Sequence, residues 1–297
     1  MISTDTPANV TPSLSTAHRQ LGGKQARATV LWAASYLVVS GLVFAVTRHG
    51  EVATLHAALL ILLAWAATGR GNAAQRVFDL APPFVVIVLA YSEVGLLISA
   101  SSIPFRDRVV QGWDAALFGM EPSHELASRV PYLALSEVLH AAYLSYYAVI
   151  SIPALLLYFR GKRAGFHETM LTLVVTWVIG CALFVIMPVE GPRFAWPAPP
   201  GVPDGPFRRL TAHILAAGSV RGTAFPSLHM AASVSQAIMG WRWQAKPLSI
   251  AMSAISVLIG IGAVYAGYHY AADMIAGAAL GLMTTACVVL ILPYQRA

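Results

Sequence analysis

Apolar residues in this chain neither alternate nor mark a single helical face. They run on in long blocks, broken by short polar stretches. A bilayer core about 30 Å thick takes roughly 20 apolar residues wound as α-helix. Blocks of that kind predict spans at about 28–47, 52–68, 78–100, 137–159, 168–188, 225–241, 247–266 and 269–292, the second of them short. With every backbone N–H and C=O needing a partner inside lipid, eight such blocks predict an all-α, polytopic membrane helix bundle. Pro82 and Pro83 are expected in the first turn of the third span, where a missing N–H does no harm.

Two connections are long. Residues 101–136 hold Trp113 and Phe118 within Trp-Asp-Ala-Ala-Leu-Phe-Gly, a pattern suited to a segment lying in the membrane interface. Residues 189–224 are rich in Pro, Gly and Arg and are not expected to be helical throughout. The chain divides into a polar N-terminal segment (1–27), N-terminal spans with the interfacial loop (28–136), and a helical core (137–297).

Composition sharpens this picture. Of 297 residues 57% are hydrophobic and 11% charged, against roughly 25% charged in soluble domains. The core is therefore made of spanning helices, and the bilayer itself is the first partner. The net charge of +6 reflects loop arginines rather than a nucleic-acid surface. Cys181 and Cys287 lie in apolar blocks and read as small hydrophobes, neither a disulfide nor a metal pair. The first apolar block is long enough to span and lacks a small-residue cleavage site, so no cleaved signal peptide is expected.

Basic loop residues set the orientation. Arg160, Lys162 and Arg163 crowd one tight turn, which places the N- and C-termini in the cytoplasm. The opposite face holds Arg48, Arg106, Arg108, Arg129, Arg193, Arg208, Arg209 and Arg221, with a concentration in the long loop ahead of Pro226. Orientation disfavours arginines there, so a ligand is the better reason for them.

Two span entrances on that same face carry polar chemistry: Phe225-Pro226-Ser227-Leu228-His229, and Tyr265 through Asp273 with His269 between. His269 and Asp273 are four apart and share a helical face. Asp273 can accept a hydrogen bond from one imidazole nitrogen and leave the other basic. Ser227 and His229 occupy a first helical turn, where free N–H groups and the dipole favour an anion. Arg193 and Arg221 lie close by in sequence. An anion cradle, arginine clamps, a buttressed nucleophile or base and a second histidine are the set that phosphoryl transfer uses. Taken singly, each feature has a plainer role: a helix-end histidine is usually a structural hydrogen-bonder, and His140 is read that way. The joint occurrence on one face carries the inference.

Gly-Pro-Arg (191–193), Phe-Pro-Ser-Leu-His (225–229) and Tyr-x-x-x-His-Tyr-x-x-Asp (265–273) resemble the three signature motifs of the type 2 phosphatidic acid phosphatase superfamily, most closely its inositol phosphorylceramide synthase-like branch. The resemblance implies a six-helix core with extra helices on its N-terminal side. It implies an enzyme acting on a lipid-linked phosphate ester, with no cofactor and no metal. His269 would be the nucleophile that becomes phosphohistidine, Asp273 would orient it, and His229 would protonate the leaving group and deprotonate the acceptor. Arg193, Ser227, Arg221 and Tyr265 would bind phosphate. The common phosphatase pattern has a lysine where Ile186 stands, a proline where Phe194 stands, and a Ser-Arg pair where Gly262 and Ala263 stand. Two phosphate cations are thus missing, which fits the synthase-like branch better than a plain phosphatase. Water or an alcohol as acceptor stays open, and with it whether the protein is a lipid phosphatase or a headgroup transferase of phospholipid or sphingolipid. Two other classes compete: an intramembrane serine hydrolase using Ser227 and His269, and a transporter or non-catalytic lipid-binding protein. The phosphotransfer reading requires the rings of His229 and His269 to converge on one phosphorus atom at the exoplasmic surface.

Overall fold

The structure is a computed structural model that describes residues 14–47, 49–68, 72–197 and 204–291. Residues 1–13 of the expected polar N-terminal stretch, the centre of the 189–224 connection and the extreme C-terminus lie outside the described residues. Among the described residues there are thirteen helices and no strand; one isolated parallel bridge joins Val189 to Thr223. In chain order the helices are α1 (Leu14–Val46), α2 (Gly50–Thr68), α3 (Asn72–Ser101), α4 (Asp107–Phe118), α5 (Pro122–Arg129), α6 (Leu133–Leu144), α7 (Tyr146–Phe159), α8 (Arg163–Ile186), α9 (Pro192–Ala195), α10 (Pro206–Gly218), α11 (Leu228–Trp243), α12 (Lys246–Tyr265) and α13 (Ala271–Ile291).

The expected blocks become helices, with four corrections. Six helices are long and apolar enough to cross a membrane: most of α1 and α3, and the whole of α2, α8, α12 and α13. The block at 137–159 is not one rod. It bends by 43° between α6 and α7, at Ser145, whose hydroxyl donates to the Ala142 carbonyl at 2.6 Å and competes with the helical ladder. The block at 225–241 yields only the 16 residues of α11, about 24 Å of helix, because Pro226 and Ser227 stay outside the first turn. α1 starts at Leu14, so residues 14–27, read from sequence as a polar segment, are helical. α3 starts at Asn72, which puts Pro82 and Pro83 inside the helix and not at its start. The long connections hold short helices: α4 and α5 in the first, α9 and α10 in the second.

α11 is the hub. It packs on α13, α12, α8 and α7, while α1, α2 and α3 form a separate layer against α8. The α11–α13 seam is close because α13 presents Gly277 to the Ser227 carbonyl and Gly281 to the Ala231 carbonyl, where a Cβ would collide with backbone. Lipid tails are as apolar as leucine, so such small-residue seams and interhelical hydrogen bonds hold a membrane bundle together. Thr176 and Thr284 join α8 to α13 at 2.6 Å, and Ser233 and Ser256 join α11 to α12 at 2.9 Å. At the far end of α11, the fully buried Glu168 of α8 accepts from Arg242 at 2.8 Å and from the Trp243 indole at 2.6 Å. This ion cluster is about 20 Å along the helix from His229, so it anchors α11 at the end away from the histidines.

Candidate active site

Three chain segments meet at the N-terminal end of α11. Val189 and the 222–224 stretch are stitched together, with Val189 N–H donating to the Gly222 carbonyl at 3.3 Å and Ala224 N–H to the Val189 carbonyl at 2.9 Å. Ser227 N–H then donates to the Asp273 carbonyl at 3.0 Å, tying the start of α11 to the first turn of α13. The 266–270 turn between α12 and α13 brings His269 into the same place.

The two histidines converge. Their ring centroids lie 5.8 Å apart in an edge-to-face arrangement, and both rings border one cavity of about 620 Å³. His229 is held against Tyr143 and Tyr146, with ring centroids 4.7 Å and 4.4 Å away. Nδ1 of His269 has two acceptors: the Ala224 carbonyl at 3.0 Å and Asp273 Oδ2 at 3.4 Å. A proton on Nδ1 serves both and leaves Nε2 unprotonated. Burial pushes the His269 imidazole down to about 4; the bond to Ala224 opposes that shift and the nearby Arg193 adds to it. The neutral ring is therefore the resting form.

Asp273 is fully buried. One oxygen also accepts from Tyr270 N–H at 2.8 Å, closing the first turn of α13, and the other has no partner among the described residues. His269 thus donates to Asp273, as the sequence suggested, and to a backbone carbonyl at shorter range, which it did not.

Arg193 borders the histidine cavity from α9. It forms no ion pair among the described residues, its guanidinium lies 4.5 Å from the Phe194 ring, and burial lowers its pKa. A half-buried cation without a counter-ion is a ready partner for phosphate.

The other expected phosphate ligands lie elsewhere. Arg221 forms an ion pair with Glu190, is largely exposed, and is absent from the lining of the cavity. Tyr265 is buried, donates its hydroxyl to the Val130 carbonyl at 2.9 Å, and borders a second cavity. Ser227 is fully buried, and its hydroxyl caps α11 by accepting from Met230 N–H at 3.3 Å. Cap geometry explains why serine stands there; the side chain does not border the cavity. His140 takes the structural role expected of it, with Nδ1 on the Ser136 carbonyl at 2.6 Å.

Sequence reasoning missed two carboxylates on α4. Asp107 accepts from the N–H groups of Glu190 at 3.0 Å and Gly191 at 2.9 Å, and from the Tyr270 hydroxyl at 3.0 Å. Gln111 reaches the same hydroxyl at 3.0 Å. Asp114, fully buried, accepts from Ala271 N–H at 2.9 Å and Ala272 N–H at 2.7 Å. Burial raises the Asp114 carboxyl and these two amides counter it. One short helix thereby fixes both the segment that carries Arg193 and the start of α13 beside His269. The available signal was the spacing: positions 107, 111 and 114 form one polar stripe on a helix.

No curated protein and no solved structure matches this chain. The family model described as the PAP2 superfamily matches residues 109–287, more than half of the chain, and takes in Asp114, Arg193, His229, His269 and Asp273. With this match and six helices long and apolar enough to cross a membrane, the chain belongs to the PAP2 superfamily, as a phosphatase-type protein of the membrane.

Proposed function

We propose that this protein cleaves a phosphate ester of a membrane lipid through a phosphohistidine at His269. Nε2 of His269 attacks phosphorus in line with the leaving oxygen, and a P–N bond forms as the P–O bond breaks. His229, made imidazolium by the negative phosphate beside it, gives its proton to the departing oxygen. It then takes a proton from the incoming acceptor, whose oxygen displaces His269 and restores the enzyme. Asp273 and the Ala224 carbonyl hold the nucleophile's tautomer. Arg193 and the free N–H groups at the start of α11 meet the charge on the non-bridging oxygens. Every role is filled by a protein group, so the scheme runs without a metal.

One observation carries the reading: the His229 and His269 rings, 5.8 Å apart, face a shared cavity with Arg193 on its wall. The remainder of that wall includes Tyr91, Tyr143, Trp177 and Phe184 with aliphatic side chains, a surround suited to acyl chains. The acceptor is water or an alcohol, giving either a lipid phosphatase or a headgroup transferase of the inositol phosphorylceramide synthase type. The site faces the non-cytoplasmic side, with both termini in the cytoplasm, a reading supported by the basic residues of the Arg160–Arg163 turn. The catalytic unit is the 137–297 core braced by α4.

The competing classes find less support. A serine nucleophile would need an accessible Oγ, and Ser227 is fully buried as a helix cap. A transporter site is expected near the bilayer midplane, whereas these polar groups cluster at helix ends.

The test is to incubate purified protein with a panel of phospholipids and polyprenyl phosphates, following released phosphate and new lipid species together. The wild type should form an acid-labile phosphoenzyme, and His269→Ala should lose turnover by several decades. Full activity in His269→Ala sinks the mechanism.

A further inference from the structure

Two hydrogen-bonding groups in the histidine cavity are unused by the chemistry proposed above. Trp177 of α8 and Tyr146 of α7 both line the cavity and are only 6% and 2% exposed. The Trp177 indole Nε1 and the Tyr146 hydroxyl are buried and have no hydrogen-bond partner among the described residues. Glu190 contributes a third such atom to this wall, but its carboxylate is ion-paired with Arg221. Buried polar groups are nearly always satisfied, and one left unmet is costly. An indole N–H can only donate. Its missing partner is therefore an acceptor, and a hydrocarbon chain offers none.

The two donors stand just inside the reacting end of the cavity. The Tyr146 ring lies 4.4 Å from the His229 ring. Trp177 is one turn deeper along α8 than Gly180, which packs on Leu228, the first residue of α11; one turn is about 5 Å. Across from Trp177 stands Tyr91 of α3, with ring centroids 6.4 Å apart. α3 is fixed to α1 there, because the Tyr36 hydroxyl donates to Glu93 at 2.7 Å. α3 precedes residues 109–287, so this wall of the cavity lies outside the family match. The cavity-lining Val88 of α3 and Tyr147 of α7 are exposed, which leaves the cavity open between those two helices.

Arg193 and the α11 amides meet the phosphate, so the oxygen wanted at Trp177 and Tyr146 is another one, a few bonds further into the lipid. A carbonyl oxygen has two lone pairs and can accept from both donors at once. Acyl esters and acyl amides carry such an oxygen close to the phosphate. An ether-linked chain lacks the carbonyl, and an isoprenoid chain has no oxygen at that place. We propose that Trp177 and Tyr146 read an acyl carbonyl of the lipid, ester or amide, and so make the cavity specific for acylated lipids over ether-linked and polyprenyl ones. This rests on the phosphohistidine reading and extends it to how the lipid is recognised. No bond to phosphorus changes at either residue; they set which lipid reaches His269.

The experiment follows phosphate release in detergent micelles from four lipids: diacyl phosphatidic acid, its di-O-alkyl ether analogue, an N-acyl sphingosine 1-phosphate and a polyprenyl phosphate. The better of the two carbonyl lipids identifies the ester or the amide as the group that is read. Wild type should favour that lipid over the ether analogue at least about tenfold in kcat/KM, chiefly through KM, because the contact is the same before and during phosphoryl transfer. Tyr146→Phe keeps the ring against His229 and removes only the hydroxyl; Trp177→Phe keeps an aromatic ring and removes the N–H. Each should lower the carbonyl-to-ether ratio about threefold or more, and the double variant should bring it to within about twofold of equality. The ratio is taken within one protein, so a loss of folded material cancels from it. Equal use of carbonyl and ether lipids by wild type, an unchanged ratio in either single variant, or a preference for the polyprenyl phosphate would each overturn the carbonyl seat, and internal water would then satisfy the two groups. Those results leave the phosphohistidine reading standing. Undiminished phosphate release in His269→Ala overturns that reading instead.

Discussion

Asp114→Asn tests whether α4 takes part in catalysis at a distance from phosphorus. The wild-type carboxylate uses both oxygens, on Ala271 N–H at 2.9 Å and Ala272 N–H at 2.7 Å, inside a fully buried site. Asparagine keeps one acceptor oxygen and turns an N–H₂ group toward the other amide. A hydrogen bond to a charged group contributes about 1.5–3 kcal/mol, and leaving the second amide unmatched adds a penalty of about 1–3 kcal/mol. The first turn of α13 can relieve that clash by moving away, and it carries Asp273 while His269 adjoins it. A displacement of about 1 Å in a reacting group lowers rate by roughly 10²-fold. Because Asp114 borders neither the histidine cavity nor the second one, lipid binding should be unaffected. The expected result is a kcat lowered about 30- to 100-fold with KM within about twofold, and slower phosphoenzyme formation in single-turnover labelling. Asp114→Glu, which keeps both oxygens, should recover part of the rate. A wild-type kcat in a folded Asp114→Asn protein would refute the positioning role. A raised KM with intact kcat would refute it too, since α4 would then act on binding.

Other predictions follow from the same geometry. Replacing His229 by Ala should abolish turnover of natural esters but spare phosphoenzyme formation from an ester with a good leaving group, because only proton donation is lost; equal loss with both esters would remove its acid role. The His269 imidazole is neutral above its depressed value of about 4, so the acid limb of kcat/KM for a phosphodiester should fall near that pH and not near the ordinary histidine value of about 6.5. A limb at the ordinary value would mean that the ring is hydrated. Gly281→Val should destabilise the fold by about 3 kcal/mol or more through collision with the Ala231 carbonyl, seen as a lower melting temperature in detergent. Turnover should survive EDTA unchanged; strict dependence on an added divalent ion would require a different site.

What could be read from the sequence was whatever depends on local spacing. Apolar block length gave the membrane bundle, and the spacings within Pro226–His229 and His269–Asp273 gave the polar helix entrances that the fold brings to one place. Long-range pairing left no such trace. Nothing in the order of residues says that Arg221 is held by Glu190, or that Tyr265 turns its hydroxyl to Val130. Both depend on how loops close in space. Asp107 and Asp114 were hidden for a related reason: apart from the Tyr270 hydroxyl on Asp107, their partners are backbone amides more than 80 residues away in sequence, and any residue type but proline supplies a backbone amide. Ser227 was noticed for its hydroxyl, but a helix cap and a phosphate ligand look the same in one dimension. Bends such as the one at Ser145 are equally silent, since the apolar block runs through them unbroken.

α11 measures about 24 Å, while a hydrocarbon slab is about 30 Å thick. Its neighbours α12 and α13 are long enough to cross such a slab, so the hub of the bundle falls short by about one helical turn. Because α7, α8, α12 and α13 wall it off, no lipid has to thin to meet the shorter helix, and the missing turn is made up by the 222–227 stretch and the 266–270 turn, non-helical backbone that a membrane protein can hold at depth only where other protein covers it.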